Sequence, residues 1–295
     1  MYKKTLLLLL AAALLSCAAK KDILHKIFAF PNSLDEISAV EVTQKSDWIW
    51  TLEDSGGNTE VYAFDLRGKL LNTLVITDAI NIDWEELTSD VEGNLYIGDF
   101  GNNKNERKDL CIYKINAAQL KNSKAEVAAK ICFYYPEQTD FQPKKSRRFY
   151  DLEAFFIHND TFYLFTKNKS SKSDGTTMLY TVPNQPGNHA AKLVGLFKTC
   201  ADAESCAITS ADLSPDGTKM VLLSYGHMWL FSNYKNDDFF GGKVQQINFP
   251  TFTQKEGICF SGNKELFVID ERKNDIGGNL YQVKLSNLKS KPQAK

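Results

Sequence analysis

From Ile23 onward the chain is built of short apolar runs with alternating polar positions, separated by clusters of Gly, Asn, Asp, Ser and Pro. Alternation with period two marks half-buried strands, and frequent turn residues between them mark an all-β chain. The runs also repeat. Each unit opens on a polar residue, usually Glu, enters an apolar strand, turns at a small polar loop, and continues into a second apolar strand ending in charged or amide residues. The openings are EISAV, EELTSD, EAFFIH, SADLSP and EGICF, with Glu36, Glu86, Glu153, Ser210 and Glu256 as the repeated polar residues. Self-similarity at such a period indicates a propeller, in which no single unit can bury its own apolar face.

Further strands complete each unit. EVYAF and LLNTLVI flank the turn at Asp65–Gly68; LCIYKI and AAKICFYY follow in the second unit, with a short helical turn near Ala117–Leu120. MLYTVP and AKLVGLF complete the third, HMWLFS and KVQQINF the fourth. The fifth unit has only GICF, ELFVI and NLYQVKL, while one unassigned run, ILHKIFAF, precedes the first unit. The spare strand fits the gap. The pattern predicts an all-β, five-bladed β-propeller of twenty strands, closed by its N-terminal strand so that few sheet edges stay open. A six-bladed ring is the alternative, because the segment 86–152 is long enough to hide extra strands.

The N-terminus is of another kind. Lys3 and Lys4 precede an apolar run from Leu6 to Leu15, then Ser16 and Cys17. That order is a signal peptide, and the run is too short for the ~20 apolar residues a membrane span needs. Leu14-Leu15-Ser16-Cys17 resembles the bacterial lipobox. The resemblance implies a lipid on Cys17, signal peptide 1–16 and a lipidated anchor and tether at 17–22; the length of the rest, with no dividing linker, predicts one domain at 23–295. The resemblance also implies an extracytoplasmic lipoprotein held in a bacterial membrane, with the outer membrane favoured over the inner. Net charge is −1, with no basic stripe among spaced aromatics, so nucleic acid is not an expected partner; a monomer is.

Such an address permits disulfides. Of the six cysteines, Cys200 and Cys206 in TCADAESC are the expected bridge; Cys111 and Cys132 are open between a pair and two buried thiols, and Cys259 reads as core. Known catalytic signatures are missing: there is no G-x-S-x-G, no phosphate-binding glycine loop and no H-E-x-x-H. His25, His158, His189 and His227 lack the spacing of a zinc site. Trp48, Trp50, Trp84 and Trp229 lie in or beside strands and read as core, although Trp84 adjoins Glu85-Glu86 and is a candidate for shaping the site.

Strand direction alternates within a blade, so inner-strand starts and second-strand ends share one mouth of the ring. The polar chemistry is expected there. The second-strand ends bring Glu53 and Asp54, Asp99 and Asn102, Lys167 and Asn168, Tyr225 and His227, and Asp270 and Glu271 around the repeated openings.

In layout, EISAV with WIWTLEDSGG, EELTSD with LYIGDFGNN, YDLEAFF with FYLFTKNK, ITSADLSPDG and KEGICF resemble the calcium-activated nucleotidase (apyrase) family. The resemblance implies a five-bladed propeller with axial calcium, ligated here by Glu36, Glu86, Glu153, Ser210 and Glu256. Glu85 is the alternative to Glu86. Charge repulsion among converging carboxylates also calls for shared protons or a cation; a hard cation offsets it more completely, and calcium accepts six to eight oxygens in flexible geometry. One departure is plain: the family's acidic pair is followed by Arg, whereas Glu53-Asp54 is followed by Ser55. The loop Gly98-Asp99-Phe100-Gly101-Asn102 is also similar to a GD-x-G-N loop of uncharacterised bacterial propeller lipoproteins, which implies no activity.

Two functional classes follow. The first is an envelope lipoprotein whose calcium-organised mouth binds a small ligand, glycan or envelope partner through Glu53, Asn102, Asn168, Tyr225 and Asp270. The second is a calcium-dependent hydrolase of a phosphoanhydride, ester or lactone, with Asp54 and Asp99 positioning or activating water and Lys167 neutralising developing charge.

Overall fold

The structure, a computed structural model, describes residues 23–56 and 58–288. The expected signal peptide, Cys17 and the expected tether lie outside the described residues. Five sheets form a ring of blades, so the protein is a five-bladed β-propeller.

The inner strands are the interrupted segment ending at Glu41–Val42, then Trp84–Ser89, Asp151–His158, Ser210–Leu213 and Lys255–Phe260. We call the end where they begin the near mouth and the other end the far mouth. His25–Ala29 pairs antiparallel with Asn279–Lys284 and so supplies the outer strand of the fifth blade. Aromatic packing fastens this closure: the Phe30 ring lies 5.0 Å from Phe28 and 5.2 Å from Phe64 of the first blade. Gly68, with φ +77, lets the Asp65–Lys69 turn lie against Phe28, whose ring a Cβ would meet at 2.8 Å. Burying one such aromatic side chain contributes about 1.5–3 kcal/mol.

Each of the five apolar clusters fills the space between neighbouring blades. Trp50 and Leu52 of the first blade, for example, meet Trp84, Leu95 and Ile97 of the second. Trp84 is therefore core, with its indole N–H donated to the Ile80 carbonyl at 3.1 Å.

Among the described residues there are twenty-two strands rather than twenty, because two short parallel strands cover blade edges. Lys124–Ala125 lies along Leu70–Ile76, and Gly187–Ala190 lies along Ala129–Tyr134. Both arise from loops of the next blade and occupy edges that would otherwise offer unpaired N–H and C=O groups. Cys111 and Cys132 face each other across antiparallel strands and form a disulfide; Cys200 and Cys206 form another; Cys259 is a buried thiol.

One local irregularity recurs near the axis. The inner ladders of blades two, three and five each shift by one residue at the near end, leaving Glu85, Glu153 and Glu256 as the extra residue. A bulge of this kind re-aims the side chain it carries and often borders a site. In the first blade Ile37 bridges Glu53 while Glu41 opposes Trp50, so EISAV is not a continuous strand.

Candidate functional site

The three bulged glutamates meet at the near mouth, and a lysine stands among them. Lys167 ends the second strand of blade three, where its ammonium is buried against the Glu153 carboxylate and lies 5.2 Å from the centre of the Tyr225 ring. Burial opposes the charge on Lys167, yet Glu153 and Glu256 hold its pKa well above that of an ordinary lysine. Tyr225 donates its hydroxyl to Glu256 at 2.6 Å. Lys169 lies 3.5 Å from Glu153 and 3.9 Å from Asp151.

Carboxylates outnumber these ammonium groups. Among the described residues Glu36, Asp54, Asp83, Glu85 and Glu271 make no ion pair within 4.0 Å. Burial, followed by the charges of Glu36, Asp83, Glu271 and Glu256, pushes the Asp54 carboxyl up to about 8. Burial and the charges of Glu256 and Glu36 bring Glu271 up to about 7. Asp151 rises to about 7 through burial and Glu153, and Glu85 is raised by burial with Glu153, Asp83 and Asp151. Asp151 accepts a hydrogen bond from the Asn102 N–H at 2.8 Å through Oδ1, while its buried Oδ2 receives none. A Cβ at Gly101 would meet the carboxylates of Glu85 and Asp83, which would have to shift.

Several residues expected in the mouth have structural work instead. Asp99 accepts from Arg107, from the Asp83 N–H and from Tyr113, at 3.1, 3.1 and 3.3 Å. Asn102 accepts from the Arg107 N–H and donates to the Tyr150 carbonyl; Asn168 likewise bridges Ser170 and Thr176. Asp270 accepts from Asn279 and Tyr281. Glu53 is half-buried at the Ile37 bridge and receives backbone N–H groups of Asp35 and Glu36. His227 stacks on Trp229 beside Cys206, away from the carboxylates.

The five residues expected to ligate calcium do not share one point. Glu36 is exposed at the rim, Glu153 is paired with Lys167, and Glu256 with Tyr225. Glu86 is the regular, paired residue after the bulge, and its carboxylate accepts from the Ser210 hydroxyl and from the Leu87 N–H, farther along the axis. Glu85 therefore occupies the position matching Glu153 and Glu256. Among the described residues no three His, Cys, Asp or Glu side chains are gathered as a metal-ligating set. The donor set as it stands does not fit calcium, and the Lys167 ammonium supplies positive charge within it.

A second polar region was not anticipated from sequence. At the far mouth a cavity of ≈ 340 Å³ is lined by residues that include Glu41, Ser89, His158 and Asp212. Ser89 donates to Glu41 at 2.6 Å, and Asp212 accepts the N–H groups of Leu213 and Phe260 at 2.7 and 2.6 Å. Burial and Asp212 raise Glu41, while burial raises Asp212 to about 7.

Comparison with known proteins finds distant structural likeness. No family model matches the chain, and no curated protein matches it. Among solved structures, the β-propeller domain of Myceliophteria thermophila Cps50 (Swd1) is 10% identical, with a TM-score of 0.47 over 88% of this chain and 98% of that one. A structure of the nidogen/laminin complex is 9% identical, with a TM-score of 0.45 over 80% of this chain and 73% of that one. Likeness at this level carries no functional argument.

Proposed function

We propose that this protein is an envelope-anchored binding propeller whose near mouth takes up a positively charged group of a ligand. The observation that carries the reading is Asp54: a half-buried carboxyl surrounded by other carboxylates, to which no described residue donates a side-chain or backbone hydrogen bond. A group in that position is satisfied by a cation or by N–H donors brought from outside. Propellers commonly serve as binding platforms, but a fold does not fix a ligand. The lipid anchor on Cys17 belongs to the same proposal. The outer strand of blade five enters from the far side, so a tether preceding Ile23 would hold the far face toward the membrane and leave the near mouth open. Calcium is, on this reading, a competitor for the mouth rather than a resident ion.

The test is a thermal-shift panel of arginine amide, spermidine and calcium against glutamate and ATP. A ligand bound only by the native state raises its melting temperature. The cationic organic probes should raise it and the anions should not, and Asp54→Asn should diminish the effect. Equal shifts from anions, or none from any cation, would contradict the proposal.

Asp54 also favours a second reading. An acid held near pH 8 can donate or accept a proton at neutral pH, as a hydrolase requires. Asp99 and Lys167, the other two candidates, are already committed to Arg107 and Glu153. Turnover of nucleotides, lactones or aryl esters that disappears in Asp54→Asn would establish this alternative.

A further inference from the structure

The near mouth is bordered by apolar side chains that do not face the core. Ile80 is 67% exposed, Ile82 43%, Phe252 55% and Ile276 64%. Exposed apolar residues scattered singly need no explanation, but each of these is fixed beside a mouth carboxylate. The Ile80–Ile82 loop is held through Asn81, whose amide donates to the Asp54 carbonyl at 2.9 Å and whose Oδ1 accepts the Trp84 N–H at 3.1 Å. Phe252 stands against Tyr225, with ring centres 6.2 Å apart, and Tyr225 in turn bonds Glu256. Ile276 exchanges backbone hydrogen bonds with Lys273 at 2.8 and 3.0 Å, and the adjoining Gly277 packs on the Glu271 carbonyl.

We propose that the near mouth docks a protein segment that inserts an arginine or lysine side chain among the carboxylates and lays flanking apolar residues on the Ile80, Ile82, Phe252 and Ile276 rim. This rests on the reading of the mouth as a cation-binding site. A guanidinium brings five N–H donors in one plane and can serve two carboxylates together. The Asp54 carboxyl accepts no hydrogen bond from a described residue, and the charges around it are those of Glu36, Asp83, Glu271 and Glu256. An inorganic cation would use the pit and leave the rim idle. An anionic lipid surface would be repelled by the same carboxylates. A basic residue between apolar neighbours uses both features, and a rim already held in place loses little freedom on binding.

The experiment compares arginine amide with an acetylated pentapeptide amide carrying Arg between Phe and Ile, and with the same peptide carrying Glu for Arg. Binding to the full-length protein is measured by titration calorimetry. The Arg peptide should bind about tenfold or more tightly than arginine amide. The double variant Ile80→Ser with Phe252→Ser should erase that gain while leaving arginine amide within about twofold of wild type. Ile276→Ser, a change at a third exposed position, should reduce the gain independently. If peptide and amide bind alike, if the rim variants keep the gain, or if the Glu peptide binds equally, the docking inference fails and the cation-binding mouth stands. If neither arginine probe binds, the mouth reading fails and the docking inference with it.

Discussion

Asp54→Asn removes one ionisable group from the near mouth with almost no change in shape, and its effect on stability can be worked from the environment of that carboxyl. An ordinary aspartate titrates near 3.8, whereas burial and neighbouring carboxylates bring Asp54 to about 8. At ~1.4 kcal/mol per pH unit, ionising Asp54 in the folded state carries a ceiling of ~6 kcal/mol. The residue is only half-buried, and water screens much of this, so ~2 kcal/mol is the working figure. For a raised acid the folded state holds a proton that the unfolded chain has lost. Its favourable contribution is complete below pH 3.8, is lost as pH rises toward about 8, and stays lost above. Asn has no such dependence. Wild type and variant should therefore melt together near pH 4 and diverge with rising pH. At pH 8.5 the variant should melt on the order of 4–8 °C higher, taking 2–4 °C per kcal/mol for a chain of this size. The assay is a melting curve at half-unit pH steps in the absence of ligand. Parallel profiles for the two proteins would refute the assigned burial and charge crowding at Asp54.

Lys167→Met should cost about 3 kcal/mol by leaving buried Glu153 with the half-exposed Lys169 as its remaining cation, and it should make the melting temperature sensitive to millimolar calcium; a variant that melts like wild type would show that Lys167 does not offset the mouth's negative charge. Gly101→Ala should lower stability by about 1–3 kcal/mol in chemical denaturation, because the new Cβ strikes the Glu85 and Asp83 carboxylates; an unchanged midpoint would contradict that packing. Deleting residues 23–30 removes Phe28 and Phe30 from the closure and exposes the Asn279–Lys284 ladder, so calorimetry should show loss of a single cooperative transition or aggregation. Cys17→Ser should abolish incorporation of labelled fatty acid, and undiminished label would remove the lipid anchor from the account.

The architecture was legible because its signals are local and repeated. Alternation exposed the blade strands, and the surplus run ILHKIFAF together with the incomplete fifth unit predicted the closure seen between His25–Ala29 and Asn279–Lys284. The two parallel edge strands were not legible, because Lys124–Ala125 and Gly187–Ala190 are short and polar and pair only through tertiary placement. The repeated glutamates lie at the end of the inner strands that strand direction required, but the repeat was read in imperfect register. A bulge leaves little mark in a sequence: nothing in WEEL states that Glu85 is the extra residue and Glu86 the paired one. Comparison of WEEL with DLEA and KEGI, in which one glutamate follows the strand's first residues, was the available clue. Asp99 and Asp270 looked free because sequence spacing cannot reveal that Arg107 and the Asn279–Tyr281 pair reach them. Asp83 and Lys169 were missed because they flank the repeated positions and join the mouth from loops, and Asp151 because it opens its inner strand two residues before the repeated Glu153.

The central claim is that the near-mouth carboxylates bind a cationic group, and their raised pKa values give it a thermodynamic signature. Asp54 at about 8 and Glu271 and Asp151 at about 7 hold protons near neutrality, and a bound cation favours their ionised forms. Arginine amide should be titrated calorimetrically at pH 7.5 in phosphate and in Tris, buffers with very different ionisation heats. The account predicts saturable binding with net proton release, tighter binding at pH 8.5 than at pH 6, and loss of most of that release in Asp54→Asn. Saturable binding with no buffer-dependent heat, or no binding at all, would contradict it.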